Sequence, residues 1–298
     1  VNKLNQQTEQ LSPLSSRPAY TETENELTVK ANKRTFIFSK KDGQLKGVSV
    51  DNRKISFANG PRFIGARRAD RSLDQFYNHD DEKAKEKDRT YSEFPDAAVF
   101  TKLDVKQDGG DLIVTANYKL GNLDKAQWTI NPSGDLALDY TYNFSGVVDL
   151  MGIRFDYPED QVISKRWLGA GPYRVWQNRI HGTQYDVWEN DYNDPIPGET
   201  FTYPEFKGYF GDVSWMNIQT KEGTISLTNE TPDAYIGVYQ PRDGRDRLLY
   251  TLPESGISVL NVIPPVRNKV NSTDLCGPSS QPKWVNGPQT GRVIFRFM

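Results

Sequence analysis

One stretch gathers the residue types that hold sugars. From Trp167 the chain reads Trp-Leu-Gly-Ala-Gly-Pro-Tyr-Arg-Val-Trp-Gln-Asn-Arg to Arg179, passes His181, and reaches Trp188-Glu189-Asn190-Asp191. Four of the six tryptophans (Trp167, Trp176, Trp188 and Trp215) lie between 167 and 215, so aromatic surface is concentrated there. Indoles stack on the apolar faces of sugar rings, while guanidinium, amide and carboxylate groups bond to the hydroxyls. The candidate carbohydrate-binding residues are therefore Arg174, Trp176, Asn178, Arg179, His181 and Trp188. Each has a competing role. A tryptophan is as readily a core residue of a sandwich, Arg174 and Arg179 could pair with Asp186, Glu189 or Asp191, and His181 could cap a turn. Gly169, Gly171 and Pro172 interrupt regular structure, so the chain after Trp167 is expected to be a loop.

Other chemistry is poorly supported. Glu189, Asp191 and Asp194 could offer oxygens to a hard cation, but their spacing is not that of an EF-hand loop. His79, in Asn-His-Asp-Asp, reads as a solvated surface residue. No phosphate-cradling glycine loop precedes a helix, and no Ser/His/Asp arrangement can be read without geometry. Cys276 is the single cysteine, which excludes an internal disulfide and a cysteine-rich metal site. No metal or cofactor is expected. A net charge of -2 and a pI near 5.9, with scattered Lys and Arg, exclude a general nucleic-acid binder. The one dense charge run, Asp80 to Arg89, mixes signs and reads as a solvated excursion. No apolar run approaches the roughly 20 residues of a membrane helix, so no membrane partner is expected. The chain starts at Val1 with no charged-then-apolar leader, and is read as a piece of a longer protein, periplasmic or extracellular in location.

The elements that must position the Trp-rich stretch are strands. Residues 1–20 are polar, broken by Pro13 and Pro18, and read as a linker or edge segment; residues 21–298 read as one domain. Leu27, Val29 and Ala31 alternate with polar residues, and Asp42-Gly43 supplies a hairpin turn. Gly60-Pro61-Arg62-Phe63-Ile64 opens another strand. Residues from about Ala69 to Asp96 form a polar excursion. The clearest period-2 patterns are Ala97, Val99, Leu103 and Val105; Leu112 to Leu120; Leu136 to Phe144; and Ile153, Phe155 and Tyr157. Turns at Asp108-Gly109-Gly110 and Asn131-Pro132-Ser133-Gly134 separate them. Later strands are expected at Gly211–Thr220, Thr224–Thr228, Ala234–Tyr239, Arg247–Leu252 and Arg292–Met298. No long amphipathic helix is legible. The fold class is all-β, a large antiparallel sandwich.

Three segments carry a resemblance. Thr35 to Leu45 followed by Gly60-Pro61-Arg62, then Gly152-Ile153-Arg154-Phe155, then Trp167-Leu168-Gly169 with Gly171-Pro172, resemble in order and spacing the C-terminal β-sandwich of glycoside hydrolase family 2 β-galactosidases. The resemblance covers most of residues 25–220. It implies a galactose-mutarotase-like supersandwich that follows a catalytic (β/α)8 barrel, lends loops to its rim and holds no catalytic residue. The implied partners are a carbohydrate and that upstream barrel. Two departures stand out. The family's Glu-Asn-Tyr is replaced here by Arg174-Val175-Trp176, and its segment bordering the active site by Phe63 to Asp70. These imply a divergent glycoside, such as an acidic one that Arg67, Arg68, Arg174 or Arg179 could pair with. Trp284 resembles, on position alone, a late aromatic residue that the family turns toward the sugar. Gly171-Pro172-Tyr173-Arg174 with Asn178-Arg179-Ile180 is also similar to a segment of aldose 1-epimerases, which share the fold; His181 or His79 with Glu254 would then be the acid and base. A stand-alone carbohydrate-binding module is the further alternative.

Overall fold

The computed structural model describes residues 16–68, 91–191, 208–238, 252–265 and 278–298. Two antiparallel sheets pack face to face. The first, of ten strands, runs β1 (Ala19–Glu22), β2 (Glu26–Ala31), β3 (Arg34–Ser39), β4 (Leu45–Val50), β6 (Ala58–Arg68), β12 (Leu150–Asp156), β18 (Ile257–Val262) and β17 (Tyr235–Gly237); β5 (Arg53–Ile55) pairs with β4 and β7 (Tyr91–Glu93) with β6. The second, of nine, runs β14 (Gln184–Asp191), β13 (Val162–Gly171), β15 (Trp215–Thr220), β16 (Gly223–Asn229), β19 (Lys283–Phe297), β11 (Leu136–Val148), β10 (Leu123–Ile130), β9 (Asp111–Lys119) and β8 (Val99–Asp108). Among the described residues no helix is long and apolar enough to cross a membrane.

Alternation builds the core between the sheets. Leu112, Val114 and Ala116 on β9, Ala126, Trp128 and Ile130 on β10, and Leu136, Leu138, Tyr140 and Tyr142 on β11 all point inward and are buried. Phe57 sits at the centre. Its ring lies 4.6 Å from Phe155 on the first sheet and 5.0 Å from Phe295 on the second. Trp128 meets Phe38 and Phe155 at 5.9 and 6.0 Å. Such ring pairs add about 0.5–1.5 kcal/mol each beyond the area they bury, so this cluster ties the two sheets together.

A second apolar cluster lies on the other face of the ten-stranded sheet. Where Phe63 and Val259 face the main core, their neighbours Ile64 and Leu260 face away. Val175, Trp176 and Tyr209 cover them. The chain after β13 is therefore folded back onto the first sheet, and this double packing positions the Trp-rich stretch.

Several sequence expectations are corrected. The chain does not become a loop after Trp167. Strand β13 continues to Gly171, paired with β14 as far as Gly171 opposite Gln184. Its glycines mark close approach, since a Cβ on Gly169 would stand 2.9 Å from the Gly211 carbonyl oxygen, and one on Gly171 would stand 2.4 Å from Trp188. On β8, Val99 does not share a face with Leu103 and Val105. A register shift between Phe100 and Lys102 turns Phe100 inward and leaves Val99 exposed. Leu120 ends no buried row: it sits in the β9–β10 turn with φ 58° and is 73% exposed. The last strand begins at Lys283, well before Arg292. His79, Asp194 and Cys276, most of Ala69 to Asp96 and most of Arg247–Leu252 lie outside the described residues.

Candidate functional site

Burial sorts the Trp-rich stretch into two groups. Trp167 is fully buried, its indole N–H donates to the Ala170 carbonyl at 3.0 Å, and its ring meets Phe210 edge-on at 4.9 Å. Arg174 is 4% exposed, with its guanidinium 6.0 Å from the same Phe210 ring. An aromatic face is a favourable place for a buried cation, so Phe210 contacts both the Trp167 indole and the Arg174 guanidinium. Trp176 is 0% exposed and meets Tyr209 edge-on at 5.6 Å. Burial pushes the Tyr209 phenol well above its ordinary pKa. Neither Arg174 nor Trp176 presents a face to solvent in this conformation, and both act here as packing residues.

A tight turn follows. The Trp176 and Arg179 backbones pair, with Arg179 N–H to the Trp176 carbonyl at 2.8 Å. Gln177, between them, is buried. Its side-chain amide donates to the carbonyls of Ser279 (2.9 Å) and Gln281 (2.7 Å), and its backbone N–H donates to the Pro264 carbonyl at 3.0 Å. Asn178 is half-buried against Ser280. The turn is thus pinned to the segment that leads into β19. Arg179, Ile180 and His181, at its outer side, are exposed. Trp188 is half-buried over Gly171, with its indole N–H shared between the Gly169 and Gln184 carbonyls at 3.2 Å each.

Of the six candidate residues, the structure therefore brings Arg179 and His181 to the surface, leaves part of Asn178 and Trp188 accessible, and buries Arg174 and Trp176. Strand direction extends the picture. The ends of β13 and β11 and the starts of β14, β19, β10 and β8 lie at one end of the nine-stranded sheet. Tyr173, Ile180, Tyr185, Leu120, Val99 and Trp284 are exposed there, six of the nine large hydrophobics exposed among the described residues. Tyr185 donates to or accepts from Ser214 at 2.6 Å, which holds its ring at the rim. Tyr173, Tyr185 and Gln177 were not candidates in the sequence; Gln177 carries no local signal because its partners lie 102 and 104 residues away.

The remaining expectations are not assembled into a site. Glu254 is exposed, and its backbone carbonyl accepts from the Arg154 guanidinium; no hydrogen bond joins its side chain to His181. Glu189 is exposed, and the Asp191 backbone carbonyl accepts from Lys165 Nζ at 2.7 Å. Among the described residues no three His, Cys, Asp or Glu side chains gather as metal ligands do. Arg67 is exposed at the end of β6.

Two large antiparallel sheets of this kind define a galactose-mutarotase-like sandwich. Galactose 1-epimerase from Lactobacillus acidophilus NCFM superposes with a TM-score of 0.51 at 10% identity, covering 95% of this chain and 99% of that one. A putative aldose 1-epimerase from Escherichia coli K12 gives 0.37 at 13% identity over 94% and 99% of the two chains. The galactose mutarotase/aldose epimerase homologue from C. elegans gives 0.40 at 8% over the same shares. At these identities the likeness concerns the fold alone. No curated protein matches the chain in sequence. The chain belongs to the beta galactosidase small chain family, whose model matches residues 30–266. All three segments that resemble the β-galactosidase sandwich lie within that span.

Proposed function

We propose that this sandwich is a non-catalytic companion of a glycoside-hydrolysing barrel, acting on a β-galactoside-like carbohydrate. Its membership of the beta galactosidase small chain family supports this reading. The observation that carries it is the exposed end of the nine-stranded sheet, where Tyr173, Ile180 and Tyr185 stand clear of the core near Arg179 and His181. Grouped apolar exposure rimmed by polar residues marks a surface meant to be covered. The barrel docks against this end. Asn178, Arg179, His181 and the accessible part of Trp188 complete the sugar-facing rim, with the amide and guanidinium bonding to hydroxyls. Arg174 and Trp176 contribute from beneath, by holding the rim in place.

The test measures nitrophenyl-galactoside turnover by the purified chain alone and by the chain together with the upstream barrel of its parent protein. No turnover is expected alone, and turnover is expected together. Tyr173→Ala with Tyr185→Ala should reduce the joint activity at an unchanged melting temperature of the sandwich. Hydrolysis by the chain alone, or full joint activity in the double variant, overturns the reading.

A further inference from the structure

The outer face of the β11–β19 ribbon carries a row of groups that the core does not use. Register and alternation place five cross-strand pairs on it: Asp139 with Arg292, Thr141 with Thr290, Asn143 with Pro288, Ser145 with Asn286, and Val147 with Trp284. The intervening residues Tyr140, Tyr142 and Phe144 face inward, the first two buried and Phe144 partly buried against the core. Over eight residues the row runs for about 27 Å at the usual strand rise. One end is a pocket of about 330 Å³ whose walls include Lys125, Gln127, Glu230 and Pro232 beside the Asp139–Arg292 pair. That volume falls at the lower end of small-molecule sites, about 300–1,000 Å³. The other end is Trp284, 72% exposed.

The pocket is built for hydroxyl groups. Arg292 donates from Nη1 to Asp139 at 2.5 Å and from Nε to Glu230 at 2.9 Å. Two carboxylates thus fix the guanidinium plane, and its Nη2 has no protein acceptor among the described residues. A sugar hydroxyl can accept from Nη2 while donating to a neighbouring carboxylate oxygen, because it is donor and acceptor at once. Lys125 and Arg292 balance Asp139 and Glu230, so neither an anion nor a cation is favoured. The middle of the row offers further hydroxyls and amides, with Ser145 donating to Asn286 at 2.7 Å. The indole at the far end supplies a stacking platform.

We propose that this row is a binding strip for a linear, neutral glycan, with one sugar unit held at Arg292 and a distant one stacked on Trp284. The strip belongs to the sandwich itself and needs no barrel, so the chain alone tests it. Calorimetry should compare galactose with linear β-1,4-galactan, xylan and glucan fragments of increasing length, and with an oligogalacturonate. At least one neutral series should bind more tightly as length grows. Arg292→Ala should weaken every member of that series by about tenfold or more, and Trp284→Ala only the long members, by about tenfold. Ser145→Arg, in the middle of the row and outside the pocket walls, should block long members and spare short ones. Melting temperatures measured alongside separate these losses from unfolding. Absence of binding to every neutral series, preference for the oligogalacturonate, or long-probe affinity unchanged in both Trp284→Ala and Ser145→Arg overturns the proposal.

Discussion

Replacing Trp176 with alanine separates packing from ligand contact in the stretch richest in tryptophan. The side chain is fully buried among Ile64, Leu260 and Val175, with Tyr209 edge-on at 5.6 Å. Removing a buried tryptophan costs about 3–5 kcal/mol, since it loses transfer energy and leaves a cavity. For a domain of this size each kcal/mol moves the melting temperature by roughly 2–4 °C, so Trp176→Ala should melt roughly 6–20 °C lower. Trp284→Ala, at a site 72% exposed, should stay within about 0.5 kcal/mol of the parent. Thermal melts followed by near-UV circular dichroism measure both, and calorimetry with the oligosaccharides measures binding in the same samples. Any loss of sugar binding in Trp176→Ala should track the loss of folded protein. A Trp176→Ala variant that melts with the parent yet no longer binds sugar would refute the core assignment.

Two further outcomes follow from local geometry and charge. Gly171→Ala should destabilise by about 1–3 kcal/mol, because its Cβ would stand 2.4 Å from Trp188 and the indole must move off its two carbonyl acceptors; an unchanged denaturant midpoint, or unaltered tryptophan fluorescence, would count against the close packing. Burial raises the Tyr140 phenol to about 12, with the Thr231 hydroxyl partly opposing it. Below pH about 10 the phenol is neutral both folded and unfolded, and nothing depends on pH. Between about 10 and 12 only the unfolded chain gives up the proton, so stability falls across that window, by up to about 2.7 kcal/mol. Denaturant melts at about pH 9 and about pH 11 should therefore differ less in Tyr140→Phe than in the parent, and equal pH slopes would contradict the assignment.

The sheet interior was legible because its strands obey one rule. From Leu112 to Ala116 on β9 and from Leu136 to Tyr142 on β11 every second residue is apolar and buried, and Gly43, Gly109 and Gly134 take the positive φ that their turns require. Strands that break the rule were missed. Edge strand β14 is mostly exposed or half-buried on both faces, so Gln184–Asp191 shows no alternation. The first nine residues of β19 carry Gly287, Pro288 and Gly291 and include no fully buried side chain, which reads as a loop until pairing with β11 supplies its hydrogen bonds. The Gly-rich part of β13 was misread for a related reason: an absent side chain signals either a turn or a close neighbour, and only the neighbours decide. Site geometry was less legible still. The Asp139–Glu230–Arg292 cluster joins residues up to 153 apart in the chain, and sheet register alone brings them together.

The position of Arg174 changes what the departure from the family pattern means. Read as sequence, an arginine where relatives carry an acid suggests a reversed charge in the sugar site. Here that guanidinium lies over Phe210 at 6.0 Å and is 4% exposed. Trp176, in the same substituted triplet, fills the space against Tyr209. The two replacements therefore pack in different clusters, Arg174 over Phe210 of the main core and Trp176 edge-on to Tyr209 in the second cluster. A change of that kind is one of packing, and under the proposed function contact with a sugar falls to the residues that reach solvent. Those are Arg179 and His181, five and seven positions further on, set outward by the Trp176–Arg179 turn. A difference in sugar preference between this chain and its relatives should therefore respond to exchange of Arg179 and His181, while exchange of the buried triplet should act through stability.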